Sequence, residues 1–294
     1  MKEYSNCPIC ETSVFNNFIE CIDHTVSQDS FNIVQCENCN FTFTNPIPLE
    51  SEIGKFYESD EYISHSNTSK GFINSVYQIV RNYTLSKKVN LLHSLSNEKS
   101  LLDIGSGTGE FLFRSKSSGY VVSGVEPSIV GRTQTKENFN IDVSDEGGLN
   151  KFESKSFGII TMWHVLEHVY NLNDRIKQLK ELVKDSGYVI IAVPNRTSFD
   201  AVHYKKDWAA YDVPRHLYHF TPDSITLLFK KHDFELHKTL PMKFDSYYVS
   251  MLSEKYKTGK SNILKAFYIG WLSNLKANKK SYSSQIYIFK KKTS

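Results

Sequence analysis

The stretch that decides the fold is Leu101-Leu102-Asp103-Ile104-Gly105-Ser106-Gly107-Thr108-Gly109-Glu110-Phe111-Leu112. An apolar strand pattern runs into three glycines spaced G-x-G-x-G, and a helical pattern begins at once. Glycine lets the backbone bend tightly and lets a ligand approach it closely. The dinucleotide fingerprint is G-x-G-x-x-G, and a phosphate loop ends in Gly-Lys-Ser/Thr, so neither of these motifs matches.

The next apolar run ends in an acidic residue. Glu126 lies in Gly124-Val125-Glu126-Pro127-Ser128, 23 residues after Asp103. A carboxylate at the end of a second strand can accept both hydroxyls of a ribose. Further apolar runs at 158–162 and 188–193 are separated from it and from each other by helical patterns. Repeated strand–helix–strand units predict a parallel sheet with helices on both faces.

Taken together, these motifs resemble the class I S-adenosylmethionine-dependent methyltransferases. The resemblance also covers Gly158-Ile159-Ile160-Thr161-Met162-Trp163-His164-Val165-Leu166-Glu167-His168-Val169, and it extends over residues 98–240 plus a final strand near 285–289. It implies an α/β fold with a Rossmann-like seven-stranded sheet and S-adenosylmethionine as cofactor. The glycines would wrap the methionine part, Glu126 would bind the ribose, and Asp145 would lie near the adenine. The implied cofactor-binding residues are Asp103, Gly105, Ser106, Gly107, Gly109, Glu126, Asp145 and Trp163.

The segment that follows the predicted fourth strand is rich in histidine. His164, Glu167 and His168 spell H-x-x-E-H, the inverted zinc-protease signature. That signature needs a free-standing catalytic helix, whereas this segment follows a Rossmann-type strand. It resembles the ubiquinone-biosynthesis O-methyltransferases instead, in which position 164 is usually Glu and the cluster can hold a divalent metal. We predict that His164 is catalytic and takes a proton from a substrate hydroxyl. Two alternatives stay open: the three residues bind a metal, or Glu167 and His168 only brace the helix.

A second polar cluster follows the predicted fifth strand, over residues 208–220. Connections at the carboxyl end of a parallel sheet are where substrates bind. We predict that Arg215 clamps a carboxylate or phosphate and that Tyr211 also contacts substrate. His216 is the second candidate for the catalytic base. The alternative is an ordinary packed loop.

All five cysteines lie before residue 40, and four of them form two C-x-x-C pairs. Two such turns can complete a tetrahedral zinc shell, although the 25 residues between the pairs exceed the usual spacing. An odd cysteine count argues against disulfides. We therefore predict a structural zinc ribbon over residues 1–45. Cys21 is expected to be a spare buried thiol, and His24 is a weak alternative ligand. The predicted zinc ligands are Cys7, Cys10, Cys36 and Cys39.

The whole chain has 294 residues and a formal net charge of +3. It contains no apolar run of membrane-spanning length and begins with a polar segment, so we expect a cytoplasmic protein without a secretory signal. The ribbon would be followed by a linker and a helical cofactor lid over 46–97, with Tyr57, Tyr62 and His65 in the lid. The methyltransferase domain would then fill 98–294, with a helical insertion around 245–281.

The basic amphipathic pattern of residues 262–280 allows two interpretations. A helix with Trp271 and several lysines can lie at a membrane surface, which would suit a lipid-linked substrate. Alternatively, the helix packs on the domain and its lysines face solvent.

We expect O-methylation of a sugar or another small-molecule or lipid-linked hydroxyl. One rival is an RNA methyltransferase that grips its substrate with the ribbon. Residues 1–45 hold one lysine, no arginine and six acidic residues, which argues against contact with nucleic acid. The other rival is a cofactor-binding module without catalysis. The identity of the acceptor and the oligomeric state are not encoded in any pattern of the sequence.

Overall fold

The computed structural model describes residues 1–58, 72–260, 262–278 and 280–292. Tyr62 and His65 of the predicted lid lie outside these residues. The strands are β1 (Phe15–Ile22), β2 (Ser30–Cys36), β3 (Thr42–Thr44), β4 (Ser100–Ile104), β5 (Val121–Val125), β6 (Phe157–Trp163), β7 (Val183–Pro194), β8 (Tyr218–His219), β9 (Phe234–Pro241) and β10 (Ser284–Lys291). The helices are α1 (Phe72–Leu95), α2 (Glu110–Ser117), α3 (Ile129–Phe139), α4 (Leu172–Leu182), α5 (Phe199–Tyr204), α6 (Pro222–Lys231), α7 (Asp245–Thr258) and α8 (Ile263–Lys276).

The main sheet has the order β5-β4-β6-β7-β10-β9. Strand β4 pairs in parallel with β5 and β6, and β6 pairs in parallel with β7, whereas β10 runs antiparallel to both β7 and β9. The central strands read as nearly continuous apolar runs because helices cover both of their faces. The carboxyl ends of β4, β5 and β6 therefore meet at one edge, directly before the glycine turn, Glu126 and His164.

The sheet has six strands among the described residues, so the expectation of seven was wrong in number. The segment that would supply the seventh strand forms one isolated parallel bridge, between Ser144 and Val125. Helix α3 ends at Phe139 and is capped by Asn140 in the left-handed conformation, and a 3-10 turn begins at Glu146. The segment between them makes only this one bridge with β5.

The N-terminal segment shares a second sheet with the rest of the chain. This sheet has the order β1-β2-β3-β8, and β3 pairs antiparallel with β8. The rings of Phe41 and Tyr218 stack with centroids 5.9 Å apart, and both side chains are buried. The ribbon therefore packs directly against the loop that follows β7, and its aromatic residues join the same core.

Arg215 ties these parts together from inside the protein. Its guanidinium is buried and donates to Asp23 Oδ1 at 2.9 Å and to Asp212 Oδ1 at 2.7 Å. It also donates to the carbonyl of Phe56 at 2.8 Å and to Thr25 Oγ1 at 3.0 Å. The ribbon, the segment after it and the 208–220 loop thus share one buried cation.

We predict that Arg215→Met lowers the free energy of unfolding by about 3–5 kcal/mol, because it leaves the buried Asp23 carboxylate without its counter-charge. Urea denaturation followed by far-UV circular dichroism measures this change. Lys177→Met is the matched control, since Lys177 pairs with Asp174 on the exposed surface and should change stability little. Equal stability losses in the two variants would contradict this role of Arg215.

Candidate functional site

The glycine turn leaves open space at its centre. Gly105, Gly107 and Gly109 all have positive φ, at 73°, 56° and 84°. A Cβ at Gly105 would lie 2.3 Å from Val165, and one at Gly109 would lie 2.4 Å from Thr135, so close packing requires these two glycines. A Cβ at Gly107 would meet no described atom within 4 Å. The backbone at Gly107 is therefore open to a ligand.

Glu126 borders this open space. Its Oε2 accepts the N–H of Gly107 at 2.8 Å, and its Oε1 accepts the N–H of Ser128 at 2.8 Å. Asp145 follows the Ser144 bridge, and the N–H of Glu126 donates to the Ser144 carbonyl at 2.9 Å. These contacts bring Asp145 to the same edge as Glu126, with its side chain exposed. Ser106 is buried beside them, and its hydroxyl has no hydrogen-bond partner among the described residues.

Asp103 is buried beneath the turn and interacts electrostatically with the half-buried Lys88. Asp103 accepts a hydrogen bond from Thr161 Oγ1 at 2.6 Å, and burial raises the pKa of its carboxyl. Lys88 of α1 lies nearby, and burial lowers the pKa of its ammonium. No sequence motif indicated Lys88. Its spacing from Leu85 and Leu92, which places it on the apolar face of the helix, is the signal that could have identified it.

Trp163 forms the wall of the site at the end of β6. The Nζ atom of Lys88 lies 4.1 Å from its ring centroid, and Phe111 packs edge-on against it at 5.5 Å. Its indole N–H is buried without a hydrogen-bond partner among the described residues. The wall is apolar, with the unpaired indole N–H as a donor and the Lys88 ammonium beside it. Such a wall suits a ligand that has an apolar part and a negatively charged part.

His164 is held between two carboxylates. It adopts a positive φ of 57°, with Nε2 3.0 Å from Asp245 Oδ2 and Nδ1 3.4 Å from Glu167 Oε1. Burial alone would lower the pKa of His164, but Asp245 and Glu167 raise it to about 10. Both ring nitrogens are therefore protonated at neutral pH, and neither offers a lone pair. Asp245 was not identified from the sequence because it begins α7, about 80 residues further along the chain.

A cluster of Glu167, His168 and His216 lies beside His164. Their ligand atoms are within 4.8 Å of one another, so this set could hold a divalent cation. The sequence analysis grouped His164 with Glu167 and His168 instead. The structure brings in His216 because the 208–220 loop folds back, with the N–H of Leu217 donating to the Glu167 carbonyl at 2.8 Å.

Backbone carbonyls orient both imidazoles of this cluster. Nδ1 of His168 lies 3.1 Å from the Arg215 carbonyl, and Nδ1 of His216 lies 2.9 Å from the Ala210 carbonyl. A carbonyl can only accept, so each Nδ1 carries a proton and each Nε2 points away from these carbonyls. Tyr57, which was assigned to the lid, places its hydroxyl 3.0 Å from Nδ1 of His168. The rest of the lid stays a prediction.

The two residues predicted to contact substrate face inward in the structure. The guanidinium of Arg215 is already occupied by Asp23, Asp212 and the other partners described above. Tyr211 is buried against Trp208 and His219, with ring centroids 5.1 and 5.3 Å away. Neither side chain is exposed to an acceptor, so the expected clamp is corrected to an internal tie.

The four cysteines of the two C-x-x-C pairs converge. The Sγ atoms of Cys7 and Cys39 are 3.6 Å apart, and those of Cys10 and Cys36 are 3.4 Å apart. All four lie within 4.8 Å of one another. A zinc–sulfur distance of about 2.3 Å in a tetrahedral shell corresponds to sulfurs roughly 3.8 Å apart, so the set fits zinc.

The two cysteine turns have matching backbone geometry. The N–H of Glu11 donates to the Cys7 carbonyl at 3.0 Å, and that of Asn40 donates to the Cys36 carbonyl at the same distance. Glu11 and Asn40 both have positive φ, at 66° and 59°. Cys21 is buried outside this set.

We predict that the purified protein carries about one zinc ion per chain and that Cys36→Ser loses it. Inductively coupled plasma mass spectrometry measures the content, and thermal unfolding should shift to lower temperature with the loss. Cys21→Ser is the matched control and should retain the metal, because Cys21 lies outside the four-sulfur set. Full zinc occupancy in Cys36→Ser would contradict the assignment.

No helix among the described residues is long and apolar enough to cross a membrane.

Comparison with known proteins identifies the fold independently. Residues 77–239 match the methyltransferase domain family, which is more than half of the chain. A ubiquinone biosynthesis O-methyltransferase from Glaesserella parasuis is 32% identical over 111 residues, 34% of this chain and 47% of that protein. An uncharacterized methyltransferase from Staphylococcus carnosus is 29% identical over 140 residues, 47% of this chain and 66% of that protein. The aligned part thus spans less than two thirds of either relative.

Solved structures share the fold at low sequence identity. The PH0226 protein from Pyrococcus horikoshii is 16% identical with a TM-score of 0.50, covering 78% of this chain and 98% of its own. A candidate sarcosine dimethylglycine methyltransferase from Galdieria sulphuraria is 14% identical with a TM-score of 0.51, covering 73% of this chain and 86% of its own. With the glycine turn, Glu126 and the sheet order already established, the match over residues 77–239 shows that the chain belongs to the methyltransferase domain family.

Proposed function

We propose that the protein transfers a methyl group from S-adenosylmethionine to a hydroxyl of a sugar or another small molecule. The observation that carries the proposal is the open space above Gly107, bordered by the Glu126 carboxylate. The glycine at position 107 lets a ligand approach the backbone closely, and the adjacent carboxylate can accept the hydroxyls of a ribose. Both features suit a nucleoside that carries a charged tail. The family match supports the same cofactor.

Different residues around the open space would bind different parts of the cofactor. When bound, the sulfonium of the cofactor supplies a methyl group that is already activated for displacement. Glu126 can exchange its bond with the Gly107 N–H for the two ribose hydroxyls. Lys88 can face the carboxylate of the cofactor, since its ammonium lies over the Trp163 ring. Trp163 excludes water from one side, which leaves the protein mainly the task of positioning the acceptor in line.

His216 is the better placed proton acceptor if the methylated atom is an oxygen. Both nitrogens of His164 lie within 3.4 Å of a carboxylate oxygen. Nδ1 of His216 meets the Ala210 carbonyl, and its Nε2 lies 3.9 Å from Asp212 Oδ2, beyond hydrogen-bond distance. The remaining Nε2 lone pair can take the hydroxyl proton. The relative named as a ubiquinone biosynthesis O-methyltransferase supports a hydroxyl acceptor. His164 would then act as a fixed positive charge beside the site.

Structural zinc at the four cysteines forms part of the proposal. Its ligands would be Cys7, Cys10, Cys36 and Cys39, a closed set that leaves no coordination position for substrate. The metal would hold the two turns together, and β3, which follows the second turn, pairs with β8. Zinc would in this way support the loop that carries His216.

We predict that Gly107→Ala abolishes binding of S-adenosylmethionine and S-adenosylhomocysteine in isothermal titration, because the new methyl group enters the ligand space. Gly119→Ala is the matched control. Gly119 also has positive φ, at 87°, and no described atom within 4 Å of its Cβ position, but it lies away from the site after α2. The backbone strain is therefore similar in both variants. Equal affinity in the two would contradict the cofactor site.

We also predict methyl transfer from labelled S-adenosylmethionine to hydroxyl acceptors in a panel of free and nucleotide-activated sugars and small phenols. Mass spectrometry of the products should locate the label on oxygen. His216→Gln should bind the cofactor normally and lose at least about tenfold in turnover. A product methylated on nitrogen or carbon would contradict the acceptor class while leaving the cofactor site intact.

A further inference from the structure

The buried face of α8 carries Ala266, Ile269, Gly270 and Ser273. Gly270 lies against α7, and Ser273 donates to Asp200 of α5. A Cβ at Gly270 would lie 2.9 Å from the Cα of Tyr247, so the two helices approach as closely as glycine allows. At Gly270 the contact with α7 therefore leaves no space for a side chain, whereas Ile269 and Leu272 pack against the apolar core beside it.

Five large apolar side chains of α8 point the other way. The outer face consists of Leu264, Phe267, Tyr268, Trp271 and Leu275, all of them exposed. Their spacing of three and four residues places them on one stripe opposite the buried small residues. Leu264 is 85% exposed and Trp271 is 51% exposed. A contiguous exposed apolar stripe of this kind marks an interaction surface.

The surroundings of the outer face are positively charged. The two acidic residues of α7 are already engaged: Asp245 binds His164, and Glu254 pairs with Lys265 at 2.9 Å. No acidic residue follows Glu254 in the sequence, whereas ten lysines do. Among the described residues, the exposed lysines near the ends of α8 are Lys257, Lys260 and Lys280, together with Lys276, whose Nζ lies 4.2 Å from the Phe199 ring centroid.

We propose that the outer face of α8 docks on an anionic lipid bilayer. Tyrosine and tryptophan favour the headgroup region, leucine and phenylalanine enter the acyl boundary, and the lysines face anionic headgroups. A second copy of the chain fits less well, because self-association would bring the two lysine rims together. From the sequence, membrane contact and packing on the domain were alternatives for this helix. In this proposal its inner face packs on the domain and its outer face contacts the membrane.

Docking would bring the candidate site close to the bilayer. Helix α7 begins at Asp245, which contacts His164, and its Tyr247 packs against Phe267 of α8 with ring centroids 5.3 Å apart. Helix α7 therefore connects the site, through Asp245, to the helix that carries the outer face. An acceptor presented at a membrane surface would be favoured, but the docking itself does not depend on catalysis.

Sedimentation with sucrose-loaded vesicles tests the docking. The full chain should bind vesicles of phosphatidylcholine with 30 mol% phosphatidylglycerol at least about tenfold more tightly than pure phosphatidylcholine, and binding should weaken with salt. Trp271 should shift its fluorescence to shorter wavelength on binding, since Trp208 is buried and Trp163 lines the site. The double variant Leu264→Glu/Leu275→Glu should lose at least about tenfold in vesicle affinity.

Val130→Glu is the matched control, because Val130 is also exposed, at 59%, and lies on a helix away from α8. It should bind vesicles like the unmodified chain, and all variants should unfold at similar urea concentrations. Failure of the unmodified chain to bind anionic vesicles would overturn the proposal, as would unchanged binding by the double variant. A concentration-dependent dimer that only the double variant disrupts, without vesicle binding, would assign the face to a second copy.

Discussion

Burial of the Arg215 guanidinium is the constraint on which the arrangement of the protein depends. A cation removed from water is stable only if carboxylates and carbonyls surround it, and these come from three separate segments. Asp23 lies in the ribbon, the Phe56 carbonyl precedes α1, and Asp212 belongs to the loop after β7. The charge therefore specifies where the N-terminal segment packs against the methyltransferase sheet. The antiparallel pairing of β3 with β8 follows the same placement.

This placement also determines the chemistry of the edge. Because the 208–220 loop is fixed from the ribbon side, His216 reaches Glu167 and His168, which follow β6 on the other side of the edge. The backbone carbonyls of the same loop orient both imidazoles. His164 meanwhile is held by Asp245 from α7. The open space at Gly107 and the titratable groups thus lie at one edge of the sheet but are positioned by different parts of the chain.

Local patterns predicted the elements that the local backbone determines. The G-x-G-x-G turn, Glu126 at the end of β5 and the two cysteine turns all depend on residues close together in sequence. Their geometry follows from glycine conformation, strand ends and turn spacing. The strand count was wrong by one because residues 141–145, at the sheet edge, formed only a single bridge. Arg215 was misassigned because a lone arginine in an aromatic loop has the same appearance whether it faces solvent or two buried carboxylates.

Contacts between distant segments were out of reach of these patterns. Lys88 and Asp245 reach the site from helices that precede and follow the central strands, and no motif marks either of them. The cluster contains His216 instead of His164 because the 208–220 loop folds back onto Glu167 and His168. Residue spacing along a helix carries no information about how that loop folds. The apolar stripe of α8 was predicted from the sequence. The sequence did not show that this stripe faces outward, because that depends on how the small residues on the opposite face pack against α7.

The most direct measurement is a crystal structure of the protein with S-adenosylhomocysteine. We expect the homocysteine part of the ligand to lie over Gly105–Gly109 and both ribose hydroxyls to donate to the Glu126 carboxylate. The sulfur should face Trp163 and His216. Density for the ligand elsewhere, or a Glu126 carboxylate still bonded to the Gly107 N–H with the ligand present, would contradict this arrangement.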